Sequence, residues 1–181
     1  LSLRKDFSIK LLRGNVDTRI QKLRNHEYDA VILSLAGLAR LNLDHLVTEV
    51  LEHNLFLPAA CQGAVGVQAL KSSKVKKILA PINDLQTQTE CMAERRVLKN
   101  INANCNSPVS IYANINKNNI TIQFEIFDHH GNKIFKKSKE DLKENCVKLC
   151  DELSEEIINT VGQTKINELD NLKSDFDYTP S

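Results

Sequence analysis

Apolar segments of strand length and of helical spacing alternate within the first forty residues, and that alternation limits what this chain can fold into. Phe7-Ser-Ile-Lys-Leu-Leu12 reads as a strand that ends at Arg13-Gly14-Asn15. Asn15 is a good N-cap, and Val16, Ile20 and Leu23 then recur at helical spacing, predicting a helix to about Arg24. Tyr28–Leu33 is a short apolar run of strand length, and Ala36-Gly37-Leu38 turns into a short helix. Strand, helix, strand, helix predicts an α/β layer with parallel strands. Asp44 is expected to cap a further helix bearing Leu46, Val47, Val50 and Leu51, followed by an extended Phe56-Leu57-Pro58 and a strand over Gly63–Gln68.

The second half has a different rhythm. Lys71, Lys74, Lys76 and Lys77 make a basic, polar linker or solvated helix face. Asn83 with Gln86 resembles a capping box, and helix is expected to run to about Asn100. Asn102–Pro108 is a loop by composition; Val109–Asn114, Ile120–Phe127 and Lys133–Lys137 read as three strands of an antiparallel meander. A helix from about Asp141 to Val161 and a frayed acidic end complete the pattern. The expected division is a first unit over 1–70, a linker over 71–81, a small α+β unit over 82–165 and a tail over 166–181.

With 24 Lys+Arg against 23 Asp+Glu, the charge is nearly balanced, which argues against a dedicated nucleic-acid binder. The longest apolar stretch, Val31–Leu41, is broken by Ser34 and Arg40 and is short of the ~20 residues that span a bilayer. A first residue Leu1 with no signal-like segment predicts a piece of a longer chain. Five cysteines at 61, 91, 105, 146 and 150 are an odd number without paired spacing, and fit reduced thiols in a cytoplasmic protein.

Chemistry concentrates at the turn Leu12-Arg13-Gly14-Asn15-Val16-Asp17-Thr18-Arg19. Gly14 permits a sharp turn, a helix N-terminus presents N–H groups, and Arg13 and Arg19 add guanidinium forks suited to carboxylates. An anion site and an ordinary capped helix with solvated arginines are both open readings. Arg40, after the second strand–helix step, belongs to the same carboxyl edge, where open α/β sheets bind ligands. Cys105 sits in a loop, where a thiol is free to meet an electrophile, or is an ordinary loop thiol. Cys146 and Cys150 fall in the stripe Leu142, Cys146, Leu149, Cys150, Leu153, Ile157 and are expected to be core, with neither metal nor disulfide. His129-His130-Gly131 is better read as a hairpin turn than as a metal site.

LRGNVDTR (12–19), EYDAVILSLAGLARL (27–41), FLPAACQGAVG (56–66), AER (93–95) and NCNSPVSIYA (104–113) occur in the order seen in the porphobilinogen deaminase (hydroxymethylbilane synthase) family, which the chain resembles up to about residue 165. The resemblance implies a partial periplasmic-binding-protein-like α/β domain, the family's second, followed by its complete third domain. It also implies a transferase of tetrapyrrole (haem) biosynthesis, which condenses four porphobilinogen molecules head to tail, losing ammonia each time, and releases hydroxymethylbilane. The primer in this family is a dipyrromethane cofactor held by a thioether, here on Cys105. Arg13 and Arg19 match positions that hold cofactor carboxylates, Arg19 and Arg40 positions that hold substrate, and Asn15, Gln62 and Gly63 lie at loop positions near the cofactor. The family's catalytic aspartate belongs to a first domain outside these residues, so this piece is expected to be inactive alone.

Two departures from the family pattern are Asn104, where glycine usually precedes the cofactor cysteine, and Cys61, where glycine usually precedes Gln-Gly. The family enzyme is expected to be monomeric, without nucleic-acid or membrane partners. An incomplete second domain is expected to expose apolar surface around Phe7–Leu12 or Tyr28–Leu33 and to self-associate. A non-catalytic anion-binding α/β domain is the alternative, and Arg13, Arg19 and Arg40 are expected to converge on one cleft facing Cys105.

Overall fold

The computed structural model describes residues 4, 6–104, 107–128 and 130–171. These fall into two compact units, one over 4–52 and one from residue 53 onward.

In the first unit, helix α1 (Val16–Arg24) begins at Asn15, whose side-chain oxygen accepts from the Thr18 amide at 2.8 Å. Helix α2 (Leu35–Arg40) is capped by Ser34, which accepts from the Gly37 amide. Both starts follow the expected cap chemistry. The expected strands at 7–12 and 28–33 do not form, and the helix expected after Asp44 is a single 3-10 turn over Asp44–Leu46. The reason is tertiary: an extended segment becomes a strand only when a neighbour takes up its N–H and C=O groups. Among the described residues of this unit, Ile20 and Leu38 are the buried apolar side chains. Phe7, Leu11 and Ile32 are more than half exposed and Ile9 is 49% exposed.

The second unit opens with a loop-rich segment, where the strand expected over 63–68 is also absent, and a short helix α3 (Val75–Leu79). Helix α4 (Leu85–Asn100) starts one residue later than the capping-box reading placed it, because Asp84 accepts from the Thr87 amide at 2.7 Å. Strands β1 (Val109–Asn116), β2 (Asn119–Phe127) and β3 (Lys133–Leu142) form an antiparallel sheet in the order β1-β2-β3. β3 runs five residues further than expected, which moves the start of helix α5 to Cys146 (Cys146–Val161). The acidic end, expected to fray, instead begins with helix α6 (Gln163–Asn171), which buries Ile166 and Leu169. Residues 172–181 lie outside the described residues.

Alternation sets the sheet's two faces. Ile111, Ala113 and Ile115 of β1, Ile120, Ile122, Phe124 and Ile126 of β2 and Phe135 of β3 face α4 and α5, which contribute Ala93, Val97, Leu149, Cys150, Leu153 and Ile157. The opposite face is polar. On it, Glu125 of β2 is 3% exposed and is paired with Lys133 at 2.7 Å and Lys136 at 3.1 Å. Arg96 of α4 grips Asp151 of α5 through two bonds of 2.7 and 2.8 Å, and Asn100 adds a third at 2.7 Å.

The outer edge of β1 has no neighbouring strand among the described residues, yet its alternate amides are satisfied. Ile111 donates to the Pro58 carbonyl at 3.0 Å, Ala113 to Glu94 Oε1 at 2.8 Å and Ile115 to Glu90 Oε1 at 2.7 Å. Gln86, one turn before Glu90, donates to the Ile115 carbonyl at 3.0 Å. One polar stripe of α4 thus substitutes for a fourth strand. Glu94 is buried, and its second oxygen accepts from the Cys61 amide at 2.6 Å. Burial pushes its carboxyl above the usual range despite those two bonds.

Replacing Glu94 by Ala strands two amide donors, and the expected loss is about 2–4 kcal/mol, read from urea unfolding of the full chain. A second expectation concerns acid. Asp84 (Thr87 amide), Asp128 (Asn132), Asp141 (Asn145), Asp151 (Arg96) and Glu156 (Lys137) are all held below their ordinary pKa values. Their stabilisation is complete above the unfolded values of about 3.9–4.3 and is lost as pH falls from there through the lower folded values. Glu94, shifted upward, acts in the opposite sense: what it contributes is present at low pH and declines as pH rises. The urea midpoint should therefore fall below about pH 4.5, since these five carboxyls and Asp6, held down by Arg4, oppose the one raised carboxyl.

Candidate functional site

The turn into α1 is built around Gly14, whose φ of +118° suits glycine, and where a β-carbon would lie 2.9 Å from Thr18 Cγ2. Asn15 accepts from both the Thr18 amide and the Thr18 hydroxyl, at 2.8 and 2.7 Å. Arg19, half-buried, folds back so that Nε donates to the Gly14 carbonyl at 2.8 Å. Its side chain is thereby fixed over the turn. Arg13, exposed, flanks the same turn. The first amides of a helix have no intrahelical acceptors, and Asn15 takes up that of Thr18. The Arg19 guanidinium beside such an end suits a carboxylate, although Asp17 in the first turn offsets part of that charge. Arg40 stands exposed in the last turn of α2, on a separate element. The concave surface along α1 is lined by Asp17, Thr18, Gln21, Lys22, Asn25 and Glu27, and its two carboxylates make it a poor anion site.

Gln62 and Gly63 belong to the second unit, in a tight double turn over 59–64. The Gln62 amide donates to the Ala59 carbonyl, the Gln62 side chain accepts from the Ala59 amide at 3.0 Å, and the Ala64 amide donates to the Cys61 carbonyl. Gly63 has φ +94° and Cys61 has φ +58°. Glu94 holds this turn through the Cys61 amide, a role that the sequence gives no means of seeing.

Cys105 lies outside the described residues, as do Asn106 and His129. The bracketing residues are tied together: Asn104 donates its amide to Ser107 Oγ at 2.7 Å, and the Ser107 amide donates to the Asn104 carbonyl at 3.1 Å. Ser107 is buried. Of the helix α5 thiols, Cys150 is buried and Cys146 half-buried; the bond from Cys150, with Arg96 assisting, draws the Cys146 thiol down to about 7. Among the described residues no group of three His, Cys, Asp or Glu side chains could hold a metal, and no helix is long and apolar enough to cross a membrane.

Residues 1–77 match the family profile described as "Porphobilinogen deaminase, dipyromethane cofactor binding domain", and residues 88–159 match "Porphobilinogen deaminase, C-terminal domain". A porphobilinogen deaminase of Clostridium botulinum is 36% identical over 156 residues, which is 86% of this chain and 53% of that protein. One of Campylobacter jejuni is 38% identical over 147 residues, 80% of this chain and 48% of that protein. The corresponding protein of Roseiflexus castenholzii is 43% identical over 113 residues, 62% of this chain and 37% of its own length. The chain spans about half the length of the curated relatives it matches. Two adjoining family domains in order, together with relatives 36% and 38% identical over most of its residues, establish that this chain belongs to the porphobilinogen deaminase family.

Proposed function

We propose that these residues form the carboxylate-holding and cofactor-carrying part of a transferase that condenses four porphobilinogen molecules into a linear tetrapyrrole. The observation that carries the reading is the α1 turn: Arg19 fixed over Gly14, Arg13 beside it, and a capped helix start between them. Acetate and propionate groups on pyrroles are the anions this donor set fits. Dipyrromethane, held as a thioether on Cys105, would supply the primer to which pyrrole units are added. Arg13 and Arg19 would hold its carboxylates, with Asn15, Gln62 and Gly63 at neighbouring loop positions; Arg19 and Arg40 would hold those of incoming substrate.

The finer fold and domain assignment belongs to the same proposal. It is a partial periplasmic-binding-protein-like domain over 1–70, a linker over 71–81, a cofactor-carrying domain over 82–165 and a tail over 166–181, in a cytoplasmic enzyme. Acid–base catalysis is assigned to an aspartate of the family's first domain, outside the 181 residues. The exposed Phe7, Ile9, Leu11 and Ile32 are consistent with a second domain that needs further strands to cover it, and with self-association of these residues on their own.

Loading of the cofactor tests the proposal. A pyrrole-specific aldehyde stain and a mass gain of two pyrrole units on the Cys105 peptide are the expected result, both absent in Cys105→Ser. Arg19→Ala should weaken binding of a carboxylate-bearing pyrrole about ten- to hundredfold, measured by calorimetry, as the loss of one charge-assisted bond of roughly 1.5–3 kcal/mol implies. Carboxylate binding without any adduct on Cys105 would instead favour a non-catalytic anion-binding domain.

A further inference from the structure

Two thiols from distant parts of the sequence meet beneath the 59–64 turn. The Cys61 thiol donates to the Cys91 carbonyl at 3.6 Å, which sets it against the residue that carries the second thiol. The Cys61 amide is anchored 2.6 Å from Glu94 Oε2, one turn further along the same helix face. Cys61 is thus held to α4 at two points, over the residue that carries the second sulfur. Its backbone sits at φ +58°, a left-handed conformation that side chains with a β-carbon rarely adopt. Both thiols are half-buried, so a small oxidant can reach them, whereas Cys150 is fully buried. The Cys146 and Cys150 pair lies within one helix, where a bridge would constrain little and the β-carbon spacing is unfavourable.

We infer that Cys61 and Cys91 form an oxidisable dithiol site, which peroxide converts to a disulfide that fastens the Gln62-Gly63 turn to α4. Burial, reinforced by Cys91 and Glu94, pushes the Cys61 thiol up to about 12, which disfavours it as the first nucleophile. The Cys91 thiolate attacks one peroxide oxygen, the O–O bond breaks, and hydroxide leaves and takes up the thiol's proton as water. This puts a sulfenic acid on Cys91. The Cys61 sulfur then attacks the Cys91 sulfur; the S–S bond forms, the S–O bond breaks, and the departing hydroxide takes the Cys61 proton as a second water. Two thiols lose two electrons and two protons, and one peroxide becomes two waters. The site stands on this geometry alone and does not depend on the catalytic proposal.

Trypsin separates all five cysteines, because a Lys or Arg lies between each consecutive pair in the sequence. The test is to reduce the full 181-residue chain, add one equivalent of hydrogen peroxide, alkylate, digest and weigh the linked peptides. The 41–71 and 78–95 peptides should be joined about tenfold more than any other pair. The melting temperature should rise by several degrees and return with dithiothreitol. Cys61→Gly, which suits the left-handed backbone, and Cys91→Ala should each abolish both effects while leaving the far-ultraviolet spectrum unchanged. Preferential pairing through Cys105, Cys146 or Cys150 would overturn the inference, as would equal yields in the native chain and in urea.

Discussion

The exposed edge of β1 is the constraint on which the better-packed unit depends. A three-stranded sheet leaves unpaired amides on its outer strands, and water or a misplaced strand would otherwise take them. Here α4 lies along β1 and turns Gln86, Glu90 and Glu94 toward that edge, four residues apart, while Ala93 and Val97 face the core. The same helix therefore supplies apolar contact to the sheet face and acceptors to its edge. At the other side, β3 is rich in lysine, and Lys137 and Lys139 are drawn to Glu156 of α5 at 2.5 and 2.9 Å. Charge on an edge strand discourages further pairing.

Glu94 extends that arrangement beyond the sheet. Each of its oxygens serves a different chain segment, β1 through Ala113 and the 59–64 turn through Cys61. The loop carrying Gln62 and Gly63 is consequently positioned by a buried carboxylate on a helix that begins more than twenty residues later. The burial that raises the Glu94 carboxyl makes each of these bonds matter, since no water replaces a lost partner at a 5% exposed side chain. The two thiols beneath the turn share the same anchoring.

The unit over 4–52 shows the converse. Its local signals are sound: Asn15 and Ser34 cap helices, and Gly14 occupies a backbone conformation closed to a β-carbon. It nonetheless buries few apolar side chains, and its extended segments do not become strands. Capping contributes about 1 kcal/mol and is complete within a few residues, whereas a ladder needs a second segment to exist. The arginine-flanked turn survives because everything that shapes it lies between residues 13 and 19.

What caps, turns and local periodicity settle was legible in the sequence: the start of α1, the reach of α4 to Asn100, the three-strand meander and the apolar stripe that puts Cys150 in the core. Ordered motifs at 12–19, 27–41, 56–66, 93–95 and 104–113 likewise sufficed for the family, because a backbone turn, an anion and a thiol each demand particular residues at particular spacing. Partnership across the chain was decided by tertiary structure alone. Strand status at 7–12, 28–33 and 63–68 required pairing partners that the described residues do not supply, β3 lengthened because β2 continued to offer partners to Leu142, and α6 formed because Ile166 and Leu169 found a core. The bond from the Cys61 thiol to the Cys91 carbonyl and the two bonds of Glu94 join residues 19 to 33 apart, a separation that no local period encodes.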